Sequence, residues 1–171
     1  MSSVCRQNYH SDCEAGVNRQ INMHLFASYA YHSLAFYFDR DDVALPGFYG
    51  HFKKMSDQER DYAQTMMEYQ NKRGGRIVLQ NITKSDWDTG SGLAAMEYAL
   101  TLEQKLNQSL LDLHGVALTR EDTEMTHFIK SEFLPARVQR IKQVADHIAN
   151  LKRVEPGLGE YLYDRKTLKH A

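Results

Sequence analysis

GGRIVLQNITKSDWDTGS, residues 74–91, decides the fold. Gly74 and Gly75 supply a helix stop, because glycine takes the left-handed conformation at which helices commonly end. The connection that follows is too long for a tight hairpin, so the helices flanking it need not be antiparallel neighbours. On its N-terminal side a helix runs back to Pro46, which suits a first turn because the missing N–H is not needed there. Before that, residues 10–39 form one uninterrupted helical pattern ending at DRDDVALPG. On the far side a third helix runs from about Gly92 to Thr119. TREDTE separates it from a fourth, about 122–153, with a kink expected at Pro135. VEPG leads into a short fifth helix, about 157–167. Each long helix spans ~40 Å at ~1.5 Å per residue. The expectation is an all-α four-helix bundle with one long crossover, a short C-terminal fifth helix, and a single domain over residues 1–171.

Composition agrees with one globular unit. The chain has 171 residues, 42% hydrophobic and 25% charged, with a net charge of −1. That balance gives no field for nucleic acid or an anionic membrane. No stretch is long and apolar enough to span a bilayer, and MSSVCRQNYH lacks the apolar segment of a secretory signal. Cys5 and Cys13 form neither a disulfide framework nor a metal knuckle. A cytoplasmic setting is the default, with no nucleic-acid or membrane partner and no organic cofactor.

The core stripes carry the functional signal. Steps of three and four residues trace Val17, Ile21, His24, Ser28, Tyr31, Ala35, Phe38 on the first helix. They trace Phe48, Phe52, Met55, Glu59, Tyr62, Met66, Tyr69 on the second and Ala99, Glu103, Leu106, Leu110, Leu113, Ala117 on the third. The fourth gives Lys130, Leu134, Arg137, Ile141, Val144, Ile148, Leu151. Every stripe is interrupted by polar groups: His24, then Glu59 with Tyr62, then Glu103, then Arg137. Unpaired buried charge costs several kcal/mol, so these groups should converge. Glu-x-x-His is a metal-binding device of helix bundles, and Glu59 with Tyr62 has that spacing with tyrosine in the histidine place. Two Glu and a His suggest a metal; an Arg among them argues the reverse.

VCRQNYH, VNRQINM, YFDRDDVAL, QNKRGGRI, ALTLEQKLNQSLLDLH and GLGEYLYDRKTL resemble the eukaryotic ferritins over essentially the whole chain. The resemblance implies a hollow 24-subunit shell storing ferric iron mineral, with the fifth helix around the four-fold axes. It also implies a ferroxidase centre, and there the chain departs from the pattern. His24 stands at the position of a first-helix Glu, Tyr62 at the His of Glu-x-x-His, and Arg137 at the Gln of the fourth helix. Glu59, Glu103 and Tyr31 are retained.

Charge arithmetic offers one reading of the altered set. Glu59 and Glu103 are balanced by Arg137, with His24 able to carry a second positive charge. Arg137 then bridges Glu103 or Glu59 by planar, bidentate pairing and replaces the metal ions. The competing reading keeps a single metal on His24, Glu59 and Glu103, with Tyr62 as a ferric ligand only at the cost of deprotonating a phenol of pKa ~10.

At the three-fold channels the resemblance places His127 and Lys130 where an Asp and a Glu line the family's iron entry. His127 and His114 are the metal-binding candidates there, and a ring of Lys130 opposes cation entry. The cavity-facing side of the second helix offers Gln58, Asp61 and Gln64, with Lys53 and Lys54 nearby, a thin acid cluster for nucleating mineral. Three functions follow. The first is a shell subunit without its own ferroxidase activity, co-assembling with a ferroxidase-active subunit. The second is an iron oxidiser using an altered site, and the third is a cage without iron storage.

Overall fold

The computed structural model describes residues 2–170. Six helices follow in order: α1 Ser11–Phe38, α2 Pro46–Lys72, α3 Gly92–Thr119, α4 Thr123–Glu132, α5 Leu134–Arg153 and α6 Leu158–Lys166. A 3-10 turn follows at Leu168–His170. Side-chain links across the bundle give the directions. His24 meets Glu59 and the Glu14 carbonyl accepts from Gln70, so α1 and α2 are antiparallel. Tyr31 reaches Glu103 and Gln20 reaches Ser109, so α3 is antiparallel to α1 and parallel to α2. Arg137 meets Glu103 and Lys152 meets Glu97, so α5 runs antiparallel to α3.

Parallel α2 and α3 require a crossover, and residues 73–91 supply it. Gly74 begins it at φ 80°, with Arg6 backbone 2.8 Å from where a Cβ would sit. The segment first follows the start of α1, where Asn18 donates to the Arg76 carbonyl (3.0 Å) and accepts from the Val78 N–H (3.1 Å). It ends at the other end of α1, where Trp87 packs on Tyr37 and Tyr98 and the Gly90 N–H donates to the Tyr37 hydroxyl. Ser91 then caps α3 by accepting from the Ala94 N–H at 3.1 Å.

One expected helix is interrupted. The fourth breaks between Glu132 and Leu134, with Phe133 at φ −122°, ψ −51°. Pro135 has no N–H for the Ser131 carbonyl, and its ring crowds that turn and the residue before it. The break therefore falls on its N-terminal side. It also corrects the core stripe: Lys130 is exposed, and Met125, Ile129 and Phe133 face inward instead.

The apolar interior is in two parts. One is built around Phe38, Phe48, Phe52, Leu106 and Ile148. The other is built around Val17, Ile21, Met66, Leu110, Ile129 and Phe133. Buried polar side chains from all four bundle strands lie between them. At the end of the bundle α6 docks on α2, with the buried Asp164 carboxylate accepting from the Phe48 N–H at 2.8 Å. No helix among the described residues is long and apolar enough to cross a membrane.

Candidate metal centre

His24, Glu59, Glu103 and Tyr31 are completely buried and Arg137 is 2% exposed. Each sits where the seam of its helix turns inward, so the fold brings together the residues singled out by the stripes. Arg137 lies between the two carboxylates. Its Nη1 donates to Glu59 Oε1 at 2.6 Å and to Glu103 Oε2, and its Nη2 donates to Glu59 Oε2 at 3.2 Å.

A second guanidinium joins it. Arg140 Nη1 donates to Glu59 Oε1 at 2.7 Å and lies 3.6 Å from Glu103 Oε1, while its Nη2 donates to Gln58. Two carboxylates thus face two permanent cations. Arg140 is a second permanent positive charge beside Arg137. It stands three residues after Arg137, a spacing that puts both on one helix face. Its long side chain reaches inward from a partly exposed position.

His24 belongs to a separate hydrogen-bonded chain. Ser109 donates to Gln20 Oε1, Gln20 Nε2 donates to His24 Nε2 at 3.1 Å, and His24 Nδ1–H donates to Glu59 Oε2 at 2.8 Å. This order corresponds to the Nδ1–H tautomer, with Nε2 accepting. Gln20 lies one turn before His24, which is the only signal of it in the sequence.

The electrostatics follow from burial and pairing. Burial opposes ionisation of Glu59, but Arg137 and then His24 more than offset it and hold the carboxyl down to about 2. Burial also works against the charge of Arg137, and Glu59 and Glu103 together hold it fully protonated. Burial and then the Glu103 charge push the Tyr31 phenol well above its ordinary value, so it stays protonated and donates to Glu103 Oε1 at 2.7 Å. Tyr62 makes no hydrogen bond to either carboxylate. Its half-buried ring lies beneath both guanidiniums, 5.4 Å from Arg137 and 5.8 Å from Arg140, a cation–π platform.

A metal ion between Glu59 and Glu103 is incompatible with this arrangement. The carboxylate oxygens are engaged by guanidinium, phenol and imidazole N–H, and two fixed cations occupy the place where a cation would bind. Among the described residues no group of three or more His, Cys, Asp and Glu side chains is arranged to hold a metal ion. The channel candidates lie apart from this centre, with His127 exposed on α4 and His114 half-buried on α3. Their expected site requires three copies of the chain.

Comparison with known proteins places this geometry in a family. The ferritin-like domain family model matches residues 14–154. The chain is 60% identical over 167 residues to the soma ferritin of Lymnaea stagnalis, covering 97% of this chain and 96% of that protein. It is 54% identical over 169 residues to the ferritin-1 heavy chain of Schistosoma mansoni, covering 97% and 96%. It is 51% identical over 172 residues to the ferritin middle subunit of Salmo salar, covering 98% of each.

Proposed function

The chain belongs to the ferritin family, and from that premise we propose that it is a cytoplasmic iron-storage shell subunit without ferroxidase activity of its own. In this reading the single-domain subunit assembles into a hollow 24-subunit cage. Iron is its cargo, and oxidation is supplied by a ferroxidase-active subunit in a mixed shell. The observation that carries the reading is the seating of Arg137 and Arg140 against Glu59 and Glu103.

The same four groups engage one another where an oxidising centre would need open coordination sites. Each carboxylate is neutralised internally, so a ferrous ion arriving there gains no unpaired charge. It would have to displace a guanidinium held by several hydrogen bonds. His24 is kept in place by Gln20 and Glu59, and Tyr31 orients Glu103. The exposed Lys130 on α4 supports a channel that does not attract ferrous ion.

Stopped-flow oxidation of ferrous ion by the pure homopolymer tests this. The expected result is a rate no faster than the spontaneous oxidation in buffer, together with faster mineral formation when the chain is reassembled with a ferroxidase-active ferritin subunit. Fast oxidation by the homopolymer would overturn the proposal.

A further inference from the structure

Bordering the buried ion pairs through Arg140, Gln58 and Tyr62, α2 and α5 leave a groove of about 610 Å³ between them, to whose lining Leu168 and Lys169 also contribute. Its volume falls in the range of small-molecule sites. Lys54, Arg140 and Lys169 line it, together with three glutamine amides, and none of the described lining residues is Asp or Glu. Lys54 and Lys169 are exposed, without a carboxylate partner among the described residues.

Two imidazoles meet in the same groove. His51 and His147 pack edge to face with ring centroids 5.0 Å apart. His147 Nδ1 is hydrogen-bonded to the Tyr163 hydroxyl at 2.7 Å. His51 Nε2 is buried and has no hydrogen-bond partner. Burial, and then the positive field of His147, Arg140 and Lys54, push His51 down to about 3. Burial lowers His147 as well, against the opposing charge of Asp146, which is paired with Lys142 outside the groove. The imidazoles are therefore neutral at pH 7, and at His51 the permanent charges of Arg140 and Lys54 are both positive.

Two ligand chemistries fit an imidazole pair. Rings bound at a tetrahedral angle to a divalent metal, with metal–nitrogen distances of ~2.0–2.1 Å, have centroids about 5 Å apart, which is close to the observed spacing. Charge decides against that occupant. A divalent cation would enter a groove whose unpaired charges, Lys54 and Lys169, are both positive and whose described lining offers no carboxylate, whereas an anion gains from the same charges.

We propose that this groove binds a phosphate-bearing anion. Lys54 and Lys169 are its mobile cations. Arg140, tied to Glu59 and Gln58 with its charge balanced there, is a fixed part of the wall. His51, with its unpartnered nitrogen, supplies a neutral donor. The inference uses no property of iron storage or of a shell, so it stands or falls separately from the proposed function.

Isothermal titration of the whole, iron-free protein in phosphate-free buffer tests it, with pyrophosphate and ADP as probes and zinc ion as the competing ligand. The expected result is saturable binding of pyrophosphate that weakens with added salt. The K54E/K169E double variant should bind about tenfold more weakly with an unchanged melting temperature, since both side chains are exposed. Equal affinity for the two probes would show that the groove reads phosphate alone; tighter ADP would show that its apolar walls contact the base. Absence of binding by either probe would overturn the proposal. So would binding indifferent to K54E/K169E, or zinc binding lost in His51→Phe without any anion binding.

Discussion

Replacing Arg137 by methionine keeps most of the side-chain volume and removes the charge that lies between Glu59 and Glu103. Both carboxylates remain completely buried, and Arg140, 12% exposed, is the permanent cation left beside them. Breaking a buried pair from one side costs ~3–5 kcal/mol. A second route gives the same size. Arg137 is the principal group holding Glu59 down from 4.5 to about 2. At ~1.36 kcal/mol per pH unit, losing that depression removes about 3 kcal/mol at neutral pH. Arg140 partly compensates, so the lower figure is the better expectation. For a chain of this length ~3 kcal/mol corresponds to a fall of roughly 6–12 °C in melting temperature, measured by calorimetry at pH 7. The sign with pH also follows. A depressed carboxyl contributes stability that is fully present above its unfolded value of 4.5 and is lost as pH falls through about 2. Wild type should lose most of this contribution between pH 4.5 and 2, and Arg137→Met should show little loss in that window. A melting temperature within about 2 °C of wild type would refute the reasoning.

Three further outcomes are expected. Gln20→Leu removes the donor to His24 Nε2 and should cost ~1–3 kcal/mol in urea unfolding, the penalty of an unpaired buried polar atom; a neutral effect would mean that His24 is not held by this chain. The triple variant His24→Glu, Tyr62→His, Arg137→Gln restores the family residues at the centre, yet should stay slow in ferrous oxidation because Arg140 still holds Glu59. Adding Arg140→Ala should then produce a fast phase, and a fast phase in the triple variant would show that Arg140 does not matter. Gly74→Ala forces φ 80° on a residue with a Cβ and presses it on Arg6; it should cost ~1–3 kcal/mol, read as a lower urea midpoint.

Much of this was legible in the sequence, for identifiable reasons. The starts of α2 and α3 coincide with Pro46 and Gly92 because proline and the glycine-bounded crossover punctuate the chain sharply. His24, Glu59, Glu103 and Arg137 were legible because a charged side chain on an apolar seam breaks a simple periodicity. That periodicity fails where a helix breaks. Phe133 resets the phase, so a seam continued from Arg137 back through the break lands on Lys130, which is exposed. Arg140 was illegible for a different reason. Its position reads as surface, and only the reach of its side chain carries the guanidinium inward. Gln20 and Ser109 matter only through their contact with each other and with His24, and pattern along one helix holds no record of a partner on another.

The central claim is that two arginines, and no metal, neutralise Glu59 and Glu103. Crystals soaked in zinc or ferrous ion, with anomalous diffraction recorded at the metal edge, test it most directly. The account predicts no anomalous peak between Glu59 and Glu103, with Arg137 still within hydrogen-bonding distance of both. A fully occupied metal there, with the guanidinium displaced, would contradict it.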